Sequence, residues 1–356
     1  MVTMYDCILR ESAALKGIVH GYEKTFAPLW AYLGDGFSDI DEICLIGSGT
    51  SYTAGVTARY LAQNLSGIRV TVEMPNPFLN SLGAINPKAL YVFVSQTGTS
   101  TITRKALEMV KAKGYKTAAI SYAADTPIAK IAGAYIDMGC GVEECGMRTV
   151  GYSCSVMTIA FLGLALGIKR KNISAEETAQ YIAQANAAAE NIDNVIEIAG
   201  QWATACRRKM LRSDCIVITG ADALFGVGLE AAVKIWEGPQ IVSIGYELEE
   251  GLHAPNYGYN HNHAVVVLND GGVDNDKALA LARYMKGEMD NGFIVGCGAI
   301  DDQDMPFEIK GGAFAALEFA AAVQVLAHRL AVDGGRDFSK PNQHGNMSTY
   351  FTSHDD

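Results

Sequence analysis

Ser95-Gln96-Thr97-Gly98-Thr99-Ser100 follows directly on the apolar run Leu90-Tyr91-Val92-Phe93-Val94, so four hydroxyls and a glycine stand where a buried strand gives way to a helix. A helix N-terminus presents unpaired backbone N–H groups and the positive end of its dipole, and hydroxyl side chains there complete an anion site without a lysine. The competing reading is that Thr99 or Ser100 caps a helix beginning near Ile102. A second turn of the same make lies upstream, where Glu42-Ile43-Cys44-Leu45-Ile46 runs into Gly47-Ser48-Gly49-Thr50-Ser51-Tyr52. One further strand and helix between them would set both turns at the carboxyl ends of neighbouring parallel strands, where open α/β sheets bind their ligands. The two can then share one phosphate.

Gly47-Ser48-Gly49 also invites a dinucleotide reading. That pattern needs a third glycine where Tyr52 stands, and an acidic residue after the next strand, which Glu73 could supply. No Gly-Lys-Ser/Thr follows a glycine-rich turn, which argues against a nucleoside triphosphate P-loop.

The chain has 356 residues, 49% hydrophobic and 19% charged, with a net charge of −11. This length suits two domains, each with its own core. The acidic field repels nucleic acid and anionic membranes, so a phosphorylated ligand must be held by local donors. Charged residues from Asp6 to Lys24 interrupt the first helix, unlike a secretory signal. The apolar stretch Ser153 to Ile168 falls short of the roughly 20 residues that span a bilayer, and reads as a buried core helix. Eight cysteines are scattered without a Cys-x-x-Cys pair, and His261-Asn262-His263 sits in a turn. The expectation is a cytoplasmic protein with no metal, no cofactor, no nucleic-acid partner and no membrane contact.

β-rich segments near 43–47, 69–73, 90–95, 117–121 and 134–138 alternate with helical segments near 51–65, 75–83, 100–113 and 125–132. This alternation predicts βαβ units and a parallel sheet. The pattern restarts with strands near 214–219, 241–245, 264–269 and 292–297 and helices near 223–237, 275–288 and 313–330. One α/β architecture used twice is therefore expected. The second opening turn, Gly220-Ala221-Asp222, carries an acid and no hydroxyl beyond Thr219, so one phosphate site per chain is expected.

On Gly228 to Glu237, the residues Glu230, Lys234 and Glu237 fall at i, i+4 and i+7, on one helix face. A solvated stripe would look the same. Gly238-Pro239 stops the helix after Glu237, however, and a helix C-terminus disfavours an anion, a placement that suits a proton-shuttling base. Downstream, Tyr246-Glu247-Leu248-Glu249-Glu250-Gly251-Leu252-His253-Ala254-Pro255 gathers acids around one histidine, and Arg336 to Pro341 forms a polar tail that would be a frayed end unless it folds over a site.

With these residues in view, the chain resembles the double sugar isomerase (SIS) domain family, in particular the isomerase part of glucosamine 6-phosphate synthase and the fructosamine 6-phosphate deglycases. Gly49-Thr50-Ser51-Tyr52 is similar to the family's first phosphosugar turn, and Ser95 to Ser100 to its Ser-Gln-Ser-Gly-x-Thr turn. Leu229 to Glu237 resembles its Ala-Leu-Glu-Gly-Ala-Leu-Lys-x-x-Glu helix, and Glu250 to Pro255 its Glu-x-x-His-Gly-Pro loop. The resemblance implies that Gly49, Thr50, Ser51, Ser95, Gln96, Thr97 and Ser100 hold the sugar phosphate. It implies that Glu237 moves a proton between C1 and C2, with Lys234 beside it. His253 would assist ring opening from a neighbouring subunit, and Lys340 would stand for a tail lysine that attacks a ketose carbonyl. The family's Val-x-Ser-Thr-Lys segment corresponds to Met147-Arg148-Thr149-Val150-Gly151, which keeps a hydroxyl at Thr149, adds Met147 to the sugar contacts and loses the lysine. His-Gly-Pro has become His-Ala-Pro, and Trp236 stands where a smaller or charged residue is usual.

The expected fold is α/β: two SIS-type doubly wound parallel-sheet domains in tandem, flavodoxin-like and three-layered. The expected division is an N-terminal helix over 1–32, a phosphosugar-binding domain over 33–170, a connecting helix over 171–208, a catalytic domain over 209–332, and a tail over 333–356 that contributes to the site. The implied activity is isomerisation or deglycation of a 6-phosphorylated ketosamine, with no glutaminase activity. An aldose–ketose isomerase, a deaminase of an amino-sugar phosphate and a non-catalytic phosphosugar sensor stay open. The implied assembly is a homodimer with a shared active site, or a tetramer of such dimers. Trp236 and the acids 247–250 point to a substrate with a cationic appendage.

Overall fold

The computed structural model describes residues 2–338 and 349–354. The chain begins with α1 (Met4–Ile8) and α2 (Glu11–Leu33), then runs β1 (Glu42–Ile46), α3 (Thr50–Ser66), β2 (Arg69–Glu73) and α4 (Pro75–Asn80). It continues through β3 (Ala89–Val94), α5 (Thr101–Ala112), β4 (Lys116–Ser121), α6 (Pro127–Ile131), β5 (Ala134–Asp137), α7 (Val150–Lys169) and α8 (Ala175–Met210). The remainder is β6 (Cys215–Gly220), α9 (Ala223–Glu237), β7 (Val242–Glu247), α10 (Leu248–His253), β8 (His263–Asn269), α11 (Asn275–Gly287), β9 (Gly292–Gly296), β10 (Met305–Pro306) and α12 (Ala316–Asp333).

Two compact units interleave along the sequence. The first holds residues 17–143 and 150–180, with Phe338 and residues 349–354; the second holds residues 2–16, 144–149 and 181–337. Each contains a five-stranded parallel sheet, in the order β2-β1-β3-β4-β5 in the first and β7-β6-β8-β9-β10 in the second. Counted from the first strand of each, the two orders are the same, so one doubly wound architecture is indeed used twice.

In the first unit, β3 is buried along its whole length, as a central strand covered on both faces must be. Cys44, Tyr91 and Phe93 pack with Phe78, Leu107 and Ile128 under α4, α5 and α6. On the opposite face α3 lies so close that a Cβ on Gly55 would meet Val72 and Leu45. Helix α7 then covers α3: a Cβ on Gly163 would come within 2.5 Å of the Ala62 carbonyl oxygen, so the two backbones touch. Every residue of α7 from Val150 to Gly167 is buried, which is why the helix is apolar on every side. By length and composition α7 and the stretch Gly312–Asp333 could each cross a membrane, but 94% and 83% of their apolar windows are buried inside the fold. Both are core helices here.

In the second unit, Val217, Val265, Val267 and Ile294 pack against Leu248, Leu281 and Met285 beneath α10 and α11, while α9 and α12 cover the other face. Strand β10 is only two residues long and carries no sequence signal. Helix α1 packs on α12, with Tyr5 stacked on His328.

The duplication extends to backbone angles. Gly49 precedes α3 with φ 55° and ψ −128°, and Asp222 precedes α9 with φ 49° and ψ −120°. Glycine adopts that region freely, whereas a non-glycine residue there is strained by about 1–3 kcal/mol. Part of that is returned by the added freedom of glycine when unfolded, about 0.4–1 kcal/mol. Asp222→Gly is therefore expected to stabilise the protein by about 1 kcal/mol, and a lower urea midpoint for the variant would refute this account.

Candidate functional site

The two hydroxyl turns come together at the carboxyl ends of two neighbouring inner strands of the first unit. β1 and β3 are neighbours, with Ile46 beside Phe93, so their following turns emerge side by side. A Cβ on Gly47 would meet Ser51 Cβ at 2.8 Å and the Val94 carbonyl oxygen at 3.1 Å, and only glycine allows this approach. Gly49 precedes α3 and Thr50 and Ser51 open it, and Ser51 N–H donates to Ser48 O at 3.1 Å.

Ser95 and Ser100 are buried and Thr97 half-buried. Ser100 occupies the N-cap position of α5, yet its hydroxyl makes no capping bond; it accepts instead from Thr103 Oγ1 at 3.0 Å. The capping alternative therefore does not account for Ser100. Thr97 Oγ1 and Thr99 Oγ1 share a hydrogen bond of 2.9 Å. The Gln96 carboxamide donates through Nε2 to Glu143 Oε2 at 2.9 Å.

Part of the tail reaches this turn. Thr101 donates its N–H to the Ser353 carbonyl at 3.1 Å, Ser100 and His354 form an antiparallel bridge, and His354 Nδ1 lies 3.3 Å from Thr99 Oγ1. Lys340 lies outside the described residues.

Met147 and Thr149 belong to the second unit, where Thr149 is fully buried and its carbonyl accepts from Gln324 Nε2 at 3.4 Å. In that unit, α9 carries the predicted charged face. Lys234 has no exposed side-chain surface, and its Nζ lies 3.2 Å from Glu230 Oε1 and 2.6 Å from Glu237 Oε2. Burial works against the ammonium, but the two carboxylates outweigh it, and Lys234 holds its proton more tightly than an ordinary lysine. It acts as a fixed cation and offers no amine nucleophile. The stripe is thus turned inward over Glu230 and Lys234, and emerges only at Glu237, whose side chain is 40% exposed. The negative charge that a helix C-terminus leaves uncompensated is met there by the ammonium.

The segment around His253, expected as a loop, forms the short helix α10, because Glu247 accepts the Glu250 N–H and caps it. His253 is 69% exposed, with Nε2 at 3.5 Å from Glu249 Oε1. Glu249 in turn accepts from Lys277 at 2.7 Å. Trp236 is half exposed and donates Nε1–H to Ser243 O at 2.8 Å.

Glu143 and His354 are the contacts of the hydroxyl turn that sequence reasoning missed. Glu143 lies in no motif, and its pairing with Gln96 is 47 residues away in sequence. His354 follows a polar segment without periodicity.

Residues 36–165 match the family model described as SIS domain. The chain carries a SIS domain. Its first sheet and both hydroxyl turns fall within this span. Over 100% of both chains the structure superposes, with a TM-score of 0.90 and 25% identity, on a protein from Clostridium difficile 630 described as a phosphosugar isomerase. The C-terminal domain of glucosamine-fructose-6-phosphate aminotransferase from Francisella tularensis shares the fold with a TM-score of 0.84 and 18% identity, over 94% of this chain and 97% of that one. The glutamine–fructose-6-phosphate aminotransferase (isomerizing) of Gloeobacter violaceus is 24% identical over 315 residues, and that of Xylella fastidiosa strain 9a5c 28% over 320, each over 86% of this chain and 51% of the relative. The chain spans about half the length of the curated relatives it matches. The tandem fold is that of the SIS phosphosugar isomerases.

Proposed function

We propose that this SIS protein is a sugar-phosphate enzyme that shifts a proton between C1 and C2 of a 6-phosphorylated ketosamine. The observation that carries the reading is Glu237: a partly exposed carboxylate at the end of an apolar helix, oriented by a fully buried ammonium 2.6 Å away. A ligand-sensing module has no use for such a group. The hydroxyl turns of Ser51, Ser95, Thr97 and Ser100 would hold the phosphate through O–H and backbone N–H donors. Similarity to the Clostridium difficile protein described as a phosphosugar isomerase and to the aminotransferases supports this assignment.

In the proposed reaction Glu237 removes a proton from C1 of the open-chain ketosamine, and the C2 carbonyl becomes the hydroxyl of an enolamine. Return of the proton to C2 leaves a C1 imine. Water adds to C1, the C–N bond breaks, and the amine leaves as the aldose 6-phosphate forms. His253, from a neighbouring subunit of a homodimer, would assist ring opening, and Met147 and Thr149 would face the sugar.

The test is to incubate the protein separately with fructoselysine 6-phosphate, other fructose 6-phosphate amino acid adducts, glucosamine 6-phosphate and fructose 6-phosphate. Glucose 6-phosphate is read by coupled NADPH formation, and ammonia separately. Release of glucose 6-phosphate and amine from an adduct is expected. Ammonia from glucosamine 6-phosphate alone would replace the deglycase with a deaminase, an outcome in keeping with the shared fold of the Thermotoga maritima glucosamine-6-phosphate deaminase. Binding without turnover on any of them would remove the enzymatic reading.

A further inference from the structure

Glu143 is 6% exposed and belongs to no motif, yet one of its oxygens, Oε2, accepts two N–H groups: Gln96 Nε2 at 2.9 Å and the backbone N–H of Gly151 at 3.1 Å. Gln96 is the second residue of the hydroxyl turn after β3. Gly151 is the second residue of α7, and it stands where the resembled family carries a lysine. The exchange to glycine has a steric reason in this chain, since a Cβ at Gly151 would overlap the Gln96 carboxamide. The missing lysine and the buried acid are therefore parts of one arrangement: the amide fills the space beside the glycine, and the carboxylate holds it there.

The place of Glu143 in the chain gives the contact a second consequence. The chain leaves the first unit after Glu143 and re-enters it at Val150, and the intervening residues 144–149 carry Met147 and Thr149. By binding the Gly151 N–H, Glu143 ties together the two ends of that excursion. The same oxygen thus connects the hydroxyl turn to the start of α7.

We propose that Glu143 is a positioning residue of the phosphosugar site, fixing the Gln96 carboxamide against Gly151 and so holding the hydroxyl turn after β3 against the start of α7. The proposal rests on the phosphosugar reading above. Its chemistry is that of a charge-assisted acceptor: a carboxylate holds two donors more firmly than a neutral group does, and a ligand pocket assembled beforehand loses less order on binding.

The test is calorimetric titration of fructose 6-phosphate and glucosamine 6-phosphate into the wild type, Glu143→Gln, Glu143→Leu and Gly151→Ala, with thermal unfolding of each. Because one amide oxygen can accept both N–H groups, Glu143→Gln is expected to bind within about threefold of wild type. Glu143→Leu, which accepts neither, is expected to weaken binding by about tenfold or more. Gly151→Ala keeps the carboxylate but displaces the amide, and is expected to weaken binding to a similar extent; it keeps the question answerable if Glu143→Leu does not fold. With any substrate that turns over, the loss should fall on KM and leave kcat within about threefold. Wild-type affinity in both Glu143→Leu and Gly151→Ala would overturn the proposal and leave the function intact. Failure of the wild type itself to bind any 6-phosphosugar would instead overturn the functional reading, and this proposal with it.

Discussion

Glu237→Gln is expected to lower turnover by about 10²–10⁴-fold while leaving phosphosugar affinity within a few-fold of wild type. The amide matches the carboxylate in shape and can still accept the hydrogen bond from Lys234 Nζ, which spans 2.6 Å in the wild type. It cannot take up a proton in the working pH range. Because Glu237 is 40% exposed and the pair is partly screened, the loss of its charge should change stability by no more than about 1 kcal/mol. The variant therefore separates chemistry from folding and from binding. The measurement is the initial rate of product formation on whichever substrate the wild type accepts, together with the thermal shift by fructose 6-phosphate. Turnover within about tenfold of wild type would remove Glu237 from the role of base.

Lys234→Met is expected to destabilise the fold by about 3–5 kcal/mol, because it leaves the buried Glu230 carboxylate without its cation. Methionine nearly preserves the volume, so the cost is electrostatic more than one of packing. Lys234 has a raised folded-state proton affinity, so its contribution is complete below a pH of about 10 and fades as pH rises through the folded value. The matching double variant, Glu230→Leu with Lys234→Met, removes both buried charges and should recover to within about 1 kcal/mol of wild type, since an apolar replacement of a whole buried ion pair is often neutral. Urea unfolding of the single and double variants checks both statements. A single variant as stable as wild type would mean that the buried pair contributes nothing, and a double variant as weak as the single would point to lost packing instead of a stranded charge.

Much of the fold was legible because parallel strands, covered on both faces, read as continuous apolar runs. The run read as 90–95 is β3, Ala89–Val94, and that read as 117–121 is β4, Lys116–Ser121. Helix α4 came out shorter than the 75–83 read from the sequence, ending at Asn80. β10 was missed because a two-residue strand has no periodicity to read. The segment before His253 was read as a loop, although Glu247 caps a helix there, because a short helix takes its form from its surroundings more than from propensity.

The doubly wound class, its duplication, the two hydroxyl turns and the common face of Glu230, Lys234 and Glu237 can all be read from the order of the residues. All of these are local: apolar runs, small-residue turns and helical spacing act over a few residues. Which way the charged face points emerges only from packing, since the same spacing describes a solvated stripe and a buried ammonium held by two carboxylates. The same holds for Gln96, whose amide is fixed by a carboxylate from another part of the chain and by the space that Gly151 leaves. Burial and hydrogen bonding between distant segments depend on where the chain folds back on itself, and one-dimensional periodicity carries no record of that.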